Sequence, residues 1–157
     1  MSPDEAERRG REPLASLIGW AMASGHPDRI ASIPAESARL VLEQVGLSID
    51  DMDLIEINEA FAAVPLVSTL IMAGGDRTKA EAIRARTNVN GGAIAIGHPT
   101  GATGARLVMT LIYELRRRRE AANDSRPYFG VATICGGIGE AEAIVVRVGP
   151  AAPRGSG

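Results

Sequence analysis

Asn88-Val89-Asn90-Gly91-Gly92-Ala93-Ile94-Ala95-Ile96-Gly97-His98-Pro99-Thr100-Gly101-Ala102-Thr103-Gly104 is the stretch on which the reading of this chain turns. It holds five of the 18 glycines and one of the two histidines. Glycine loses the most conformational freedom on folding, so such a loop is costly unless the backbone must come close to something. Directly after it, Leu107, Val108, Leu111, Ile112 and Leu115 recur at helical spacing and predict a helix to about Arg119. His98 therefore sits where a glycine loop feeds a helix. Gly101-Ala102-Thr103-Gly104 is read as a helix start that lets another backbone approach closely.

Upstream of the loop, residues 76–87 are basic and polar and read as a loop or short helix. Ala60, Ala63, Val64, Val67, Leu70 and Ile71 predict an amphipathic helix ended by Gly74-Gly75, with Pro65 tolerable in its first turn. Asp53 to Ile57 reads as a strand and Ser48 to Met52 as a capped turn. Ala38, Val41, Leu42 and Val45 predict a helix over 34–45, with Pro34 in its first turn and Gly46 as its stop. Residues 13–23 read as a strand covered on both faces, followed by a loop around Gly25-His26-Pro27-Asp28. Residues 1–12 are an extension with a short exposed helix, Ser2 as N-cap and Pro3 at the first helical position.

Downstream, residues 120–127 read as a loop, Tyr128 to Cys135 as a strand, Gly136 to Glu140 as a tight turn and Ala141 to Val148 as a strand. Arg116 to Arg119 read as a solvated helix end, where the helix dipole favours cations. The Pro/Gly-rich tail 149–157 is expected to be disordered. The order β-α-β-α-α-β-β predicts one α/β layered domain over 13–148, with a mixed, mostly parallel sheet of five-stranded type, an antiparallel last pair and covering helices.

Bulk properties narrow the function. A length of 157 residues with 45% hydrophobic and 23% charged residues suits one domain with a real core. The net charge of −2 gives no case for nucleic acid or a membrane surface as partner. One cysteine excludes an internal disulfide and points to a cytoplasmic setting. The acidic start Met1 to Glu7 is not a targeting signal, and no apolar run approaches the roughly 18 residues of a membrane span.

Three places can carry chemistry. Cys135 ends a strand and is followed by Gly136-Gly137-Ile138-Gly139, so its thiol is either a buried structural group or a reactive one beside free backbone N–H groups. His98 is either a surface or capping residue or an acid/base partner for that thiol, because strand and helix ends converge at one edge of an α/β sheet. Asn58-Glu59-Ala60-Phe61 follows the strand 53–57. Asn58 is a helix N-cap or an amide that orients water or imidazole. Glu59 anchors or polarises the same network. Phe61 walls a pocket or fills the core. Gly137-x-Gly139 is not a dinucleotide fingerprint, no phosphate loop is present, and one Cys with two His makes no metal site.

Taken together, Asn58-Glu59-Ala60-Phe61, then Asn88 to Pro99 with Gly101-Ala102, then Cys135-x-Gly137 resemble the C-terminal half of a thiolase of the acetyl-CoA acetyltransferase and 3-ketoacyl-CoA thiolase type. The resemblance runs from about Met1 to Val148. It implies fatty acid and lipid metabolism, acyl-CoA and CoA as substrates, and no further cofactor. It implies that His98 activates a nucleophilic cysteine and points a ring N–H at the thioester oxygen, while Asn58 holds the water of this first oxyanion hole. Cys135 is the implied acid/base, its thiolate favoured by a nearby imidazolium, and Gly137 N–H the implied donor of the second hole. A full thiolase is about twice this length or more, and its N-terminal half carries the nucleophile. The implied partner is that half, or another copy of the chain. Where the family has Gln-Gly after the glycine run, this chain has Glu140-Ala141. The alternatives are a non-catalytic binding or oligomerisation module and, more distantly, a ketoacyl-synthase-like transferase.

Overall fold

The computed structural model describes residues 1–150; the expectation for the tail falls largely outside them. Helix α1 (Pro3–Arg8) is capped by Ser2, whose hydroxyl accepts from Glu5 N–H. Strand β1 (Ser16–Ser24) leads through a short turn to α2 (Ile33–Gln44). Then come β2 (Leu54–Ile57), α3 (Ala63–Met72), α4 (Arg77–Arg84), a single turn α5 (Ala93–Ile96), the long helix α6 (Thr100–Ala121), β3 (Tyr128–Cys135) and β4 (Glu140–Val148).

The sheet has four strands, not five, in the order β1-β4-β3-β2. The expected mostly parallel pairing is also corrected: only β2 and β3 pair in parallel, and β4 runs antiparallel to both of its neighbours. Strands β1, β2 and β3 nevertheless point the same way. The cause is the Gly136–Gly139 turn, too short for the crossover that a parallel return needs. It folds β4 back as a hairpin, and β4 separates β3 from β1.

Side-chain alternation splits the core. On one face Ile55, Ile57, Val131, Ala143 and Val145 pack with Val41 and Leu42 of α2 and with Val64, Ala80 and Ile83. On the other, Leu54, Ala132, Val146 and Val148 meet Leu107, Leu111 and Leu115 of α6. Gly130 lets α6 come down on β3, because a Cβ there would lie 2.8 Å from Leu111.

Several local expectations fail where a neighbour is missing within the chain. Strand β1 is covered on one face only, and Leu17, Trp20 and Met22 are exposed. Helix α3 buries Val64, Ser68 and Thr69, and Ala60 and Leu70 pack on the core, but Val67 and Ile71 of the expected apolar side face outward, as does Leu66. Ser68 donates to Ala31 O and Thr69 to Pro65 O, so the buried hydroxyls are satisfied. Gly101 and Gly104 have open space where a Cβ would be, so the expected close approach does not occur within this chain. The basic segment is a proper helix, α4, because Asp76 caps it by accepting from Thr78 and Lys79 N–H. The arginines after Leu115 are partly engaged: Arg117 and Arg118 fold back onto Glu114.

Candidate active site

The glycine loop is held by its own polar side chains. Arg86 O accepts from Ile55 N–H and Asn88 N–H donates to Ile55 O, both at 2.9 Å, so the loop begins as a short parallel rail beside β2. Asn88 extends the rail with its side chain: Oδ1 accepts from Ile57 N–H and Nδ2 donates to Ile57 O, each at 2.8 Å. Its φ of 50° is one that asparagine tolerates better than most residues. Glu59 then pins the next turn, accepting from Ile94 N–H at 3.0 Å and from Asn88 Nδ2 at 3.3 Å. Its carboxyl group occupies the space where a Cβ on Gly92 would be. The glycine at 92 is therefore the room that Glu59 needs.

These contacts deliver His98 to Asn58. Asn58 is fully buried just past the end of β2, and its Nδ2 lies 3.3 Å from His98 Nε2. His98 Nδ1 lies 2.7 Å from Thr103 Oγ1, and that hydroxyl is 3.0 Å from Pro99 O. The hydroxyl has one hydrogen. Donating it to Pro99 O leaves a lone pair for His98 Nδ1–H. Nδ1 then carries the proton and Nε2 is the acceptor facing Asn58 Nδ2–H. In this tautomer Nε2 is free to accept a proton, and a ring N–H toward the thioester oxygen forms only once it has done so. Thr103→Val removes the acceptor, so nitrogen-detected NMR of the His98 ring is expected to show protonated Nδ1 in the parent chain and loss of that preference in the variant. A parent spectrum dominated by protonated Nε2 contradicts the assignment.

Cys135 ends β3, the parallel neighbour of β2, and Asn58 N–H donates to Thr133 O at 3.0 Å. Asn58, His98 and Cys135 thus share one edge of the sheet. No hydrogen bond among the described residues joins Cys135 to the other two. Its side chain packs toward Ile33 at the start of α2, while Asn58 lies on the α6 side. Burial pushes the Cys135 thiol up, a backbone hydrogen bond pulls it down, and the Glu140 carboxylate adds a smaller push upward. Gly137 is exposed in the turn beyond it. Phe61 is 58% exposed and forms neither a pocket wall nor core within this chain.

Sequence reading missed Thr103, Asn88 and the pair Glu56 and Arg106. Thr103 carried a signal, a hydroxyl five residues past a histidine at a helix start. Glu56 lies two residues before Asn58 on the same face of β2 and is 2% exposed. Its Oε2 is 3.9 Å from Arg106 Nη1 of α6. Burial raises the Glu56 carboxyl to about 7, against the pull of Arg106 and with the push of Glu59. The three side-chain nitrogens of Arg106 are buried without a hydrogen-bond acceptor among the described residues.

Fold and site together define a domain of the thiolase class, and comparison with known proteins agrees. Residues 11–148 match the family model described as thiolase, C-terminal domain, and the chain belongs to that family. It is 39% identical over 147 residues to an acetyl-CoA acetyltransferase of Syntrophomonas wolfei, covering 94% of this chain and 34% of that protein. It is 43% identical over 143 residues to the acetyl-CoA acetyltransferase of Paracoccus denitrificans, covering 90% and 33%. Human mitochondrial 3-ketoacyl-CoA thiolase, solved in complex with CoA, superposes with a TM-score of 0.80 at 34% identity, over 95% of this chain and 34% of that one. Bacillus anthracis acetyl-CoA acetyltransferase gives a TM-score of 0.79 at 36% identity. The chain spans about a third of the length of these relatives, less than the half expected from sequence.

Proposed function

We propose that this chain is the C-terminal part of an acyl-CoA thiolase, acting in thiolytic cleavage of a 3-ketoacyl-CoA or in the reverse condensation. The observation that carries the reading is the relay Asn58–His98–Thr103, set at the same sheet edge as Cys135 in a member of the thiolase C-terminal domain family. The nucleophilic cysteine comes from the two thirds of the relatives' length that this chain does not span, because its only cysteine is Cys135. His98 Nε2 takes the nucleophile's proton. The Nε2–H formed then donates to the thioester oxygen, which takes up enolate charge as the bond between the α-carbon and the attacked keto carbon breaks. Asn58 Oδ1 is buried without a protein partner, an acceptor suited to a water whose second hydrogen faces the same oxygen. Cys135 gives its thiol proton to the α-carbon of the departing acetyl-CoA in cleavage and takes it back in condensation. Gly137 N–H faces the acyl-enzyme oxygen.

The surface fits a missing partner. Met109 and Tyr113 on α6, with Trp20 and Met22 on β1, leave large apolar side chains exposed on the α6 side of the sheet. Arg106 lies beneath the α6 part of this surface with unused donors. The purified chain is expected to show no thiolysis of acetoacetyl-CoA, and activity is expected to appear when the N-terminal two thirds of a relative is added. Turnover by the chain alone contradicts the role given to Cys135. Binding of the added part without turnover favours a non-catalytic docking module instead. Met109→Glu is expected to weaken that assembly at least tenfold by titration calorimetry, since it places a charge in an apolar contact.

A further inference from the structure

Glu140 opens β4 and closes the turn that follows Cys135. Gly136 N–H donates to Glu140 O at 2.7 Å, and Ile138 N–H donates to Glu140 Oε2 at 3.2 Å. The carboxylate is folded back over Gly136, where a Cβ would collide with its Oε1 and Cδ. Cys135 pairs with Ala141 across the hairpin, so thiol-bearing residue and carboxylate belong to one tight ring. Gly139 fixes that ring from behind. Its φ is +94° and a Cβ on it would lie 2.6 Å from Gly25 O. The carboxylate is thus held by Ile138 N–H, three residues past Cys135.

We propose that Glu140 is a positioning residue for Cys135: folded over Gly136 onto Ile138 N–H, its carboxylate holds negative charge at the strand end that bears the thiol. A negative charge beside the thiol opposes thiolate formation. The same charge opposes an oxyanion at the neighbouring Gly137 N–H. The resting site therefore stands in the form that cleavage uses. There the S–H bond of Cys135 breaks, a C–H bond forms at the α-carbon of the departing enolate, and a thiolate remains. Condensation begins from the thiolate, which the same charge disfavours. The other charged or titratable groups around the turn are His26, Asp28 and Arg29, on the segment against which Gly139 packs, and Glu142, two residues along β4.

This assignment takes its chemical meaning from the thiolase reading, but its test does not depend on it. Cys135 is the sole cysteine, so the rate of iodoacetamide alkylation of the purified chain against pH reads its titration directly. Glu140→Gln is expected to lower the midpoint by about half a pH unit, so that alkylation on the acidic limb runs about threefold faster. Gly136→Ala, which evicts the carboxylate without removing it from the chain, is expected to shift it the same way. Glu142→Gln is expected to leave the midpoint unchanged. An unshifted midpoint in Glu140→Gln with an unchanged circular dichroism spectrum overturns the proposal. So does an equal shift in Glu142→Gln. Failure of the thiolase reading shows elsewhere, as no recovery of thiolysis on adding the missing part.

Discussion

In an enzyme assembled from this chain and the N-terminal two thirds of a relative, His98→Ala is expected to lower kcat for acetoacetyl-CoA thiolysis about 10³-fold. The size follows from two jobs done by one atom. Nε2 first accepts the nucleophile's proton and then donates to the developing oxyanion, and alanine does neither. Cys135→Ala is expected to cost at least as much, because no other described side chain at that strand end can return a proton to the α-carbon. The two losses should not multiply in the double variant, since both groups serve one reaction coordinate. KM for the thioester is expected to change little, which separates lost chemistry from lost binding. Steady-state kinetics of the three assembled variants checks this, and near-normal turnover in either single variant removes the role given to that residue.

The second large effect is on stability. Burial beside β2 raises the Glu56 carboxyl to about 7, well above the ordinary carboxylate range. Between those limits the folded chain holds a proton that the unfolded chain has released. Linkage then makes stability fall as pH rises. The contribution of Glu56 is fully present below the unfolded carboxyl value and lost as pH passes about 7. The loss amounts to about 3 kcal/mol. Urea unfolding of the isolated chain between pH 4 and pH 8 is expected to show it as a slope that Glu56→Gln removes. Parallel curves for the two proteins contradict it. Glu114 works in the opposite sense. Hydrogen bonds from Arg117 hold its carboxyl down to about 2, against the cost of burial and with help from Arg118. Its contribution is present at neutral pH and fades only as pH falls toward 2.

Much of the site was readable from short-range pattern. The loop 88–104 had too many glycines for an ordinary connection, and the structure supplies a reason at Gly92, whose missing side chain makes room for Glu59. Asn58 stood where a strand must end, and it meets His98 there. Phe61, Val67 and Ile71 misled, because an apolar residue predicts burial without saying against what. All three are exposed in a chain that spans a third of its relatives.

The sequence by itself determined the elements, the order in which they occur and the residues able to carry chemistry, since period, capping and glycine content act over a few neighbouring residues. Only the tertiary structure decided the rest. The insertion of β4 between β1 and β3, the place of His98 between Asn58 and Thr103, the raised carboxyl of Glu56 and the grip of Glu140 on the turn after Cys135 all join residues through space. Their energies depend on distance, burial and direction, and none of these is written in the spacing of residues along a chain.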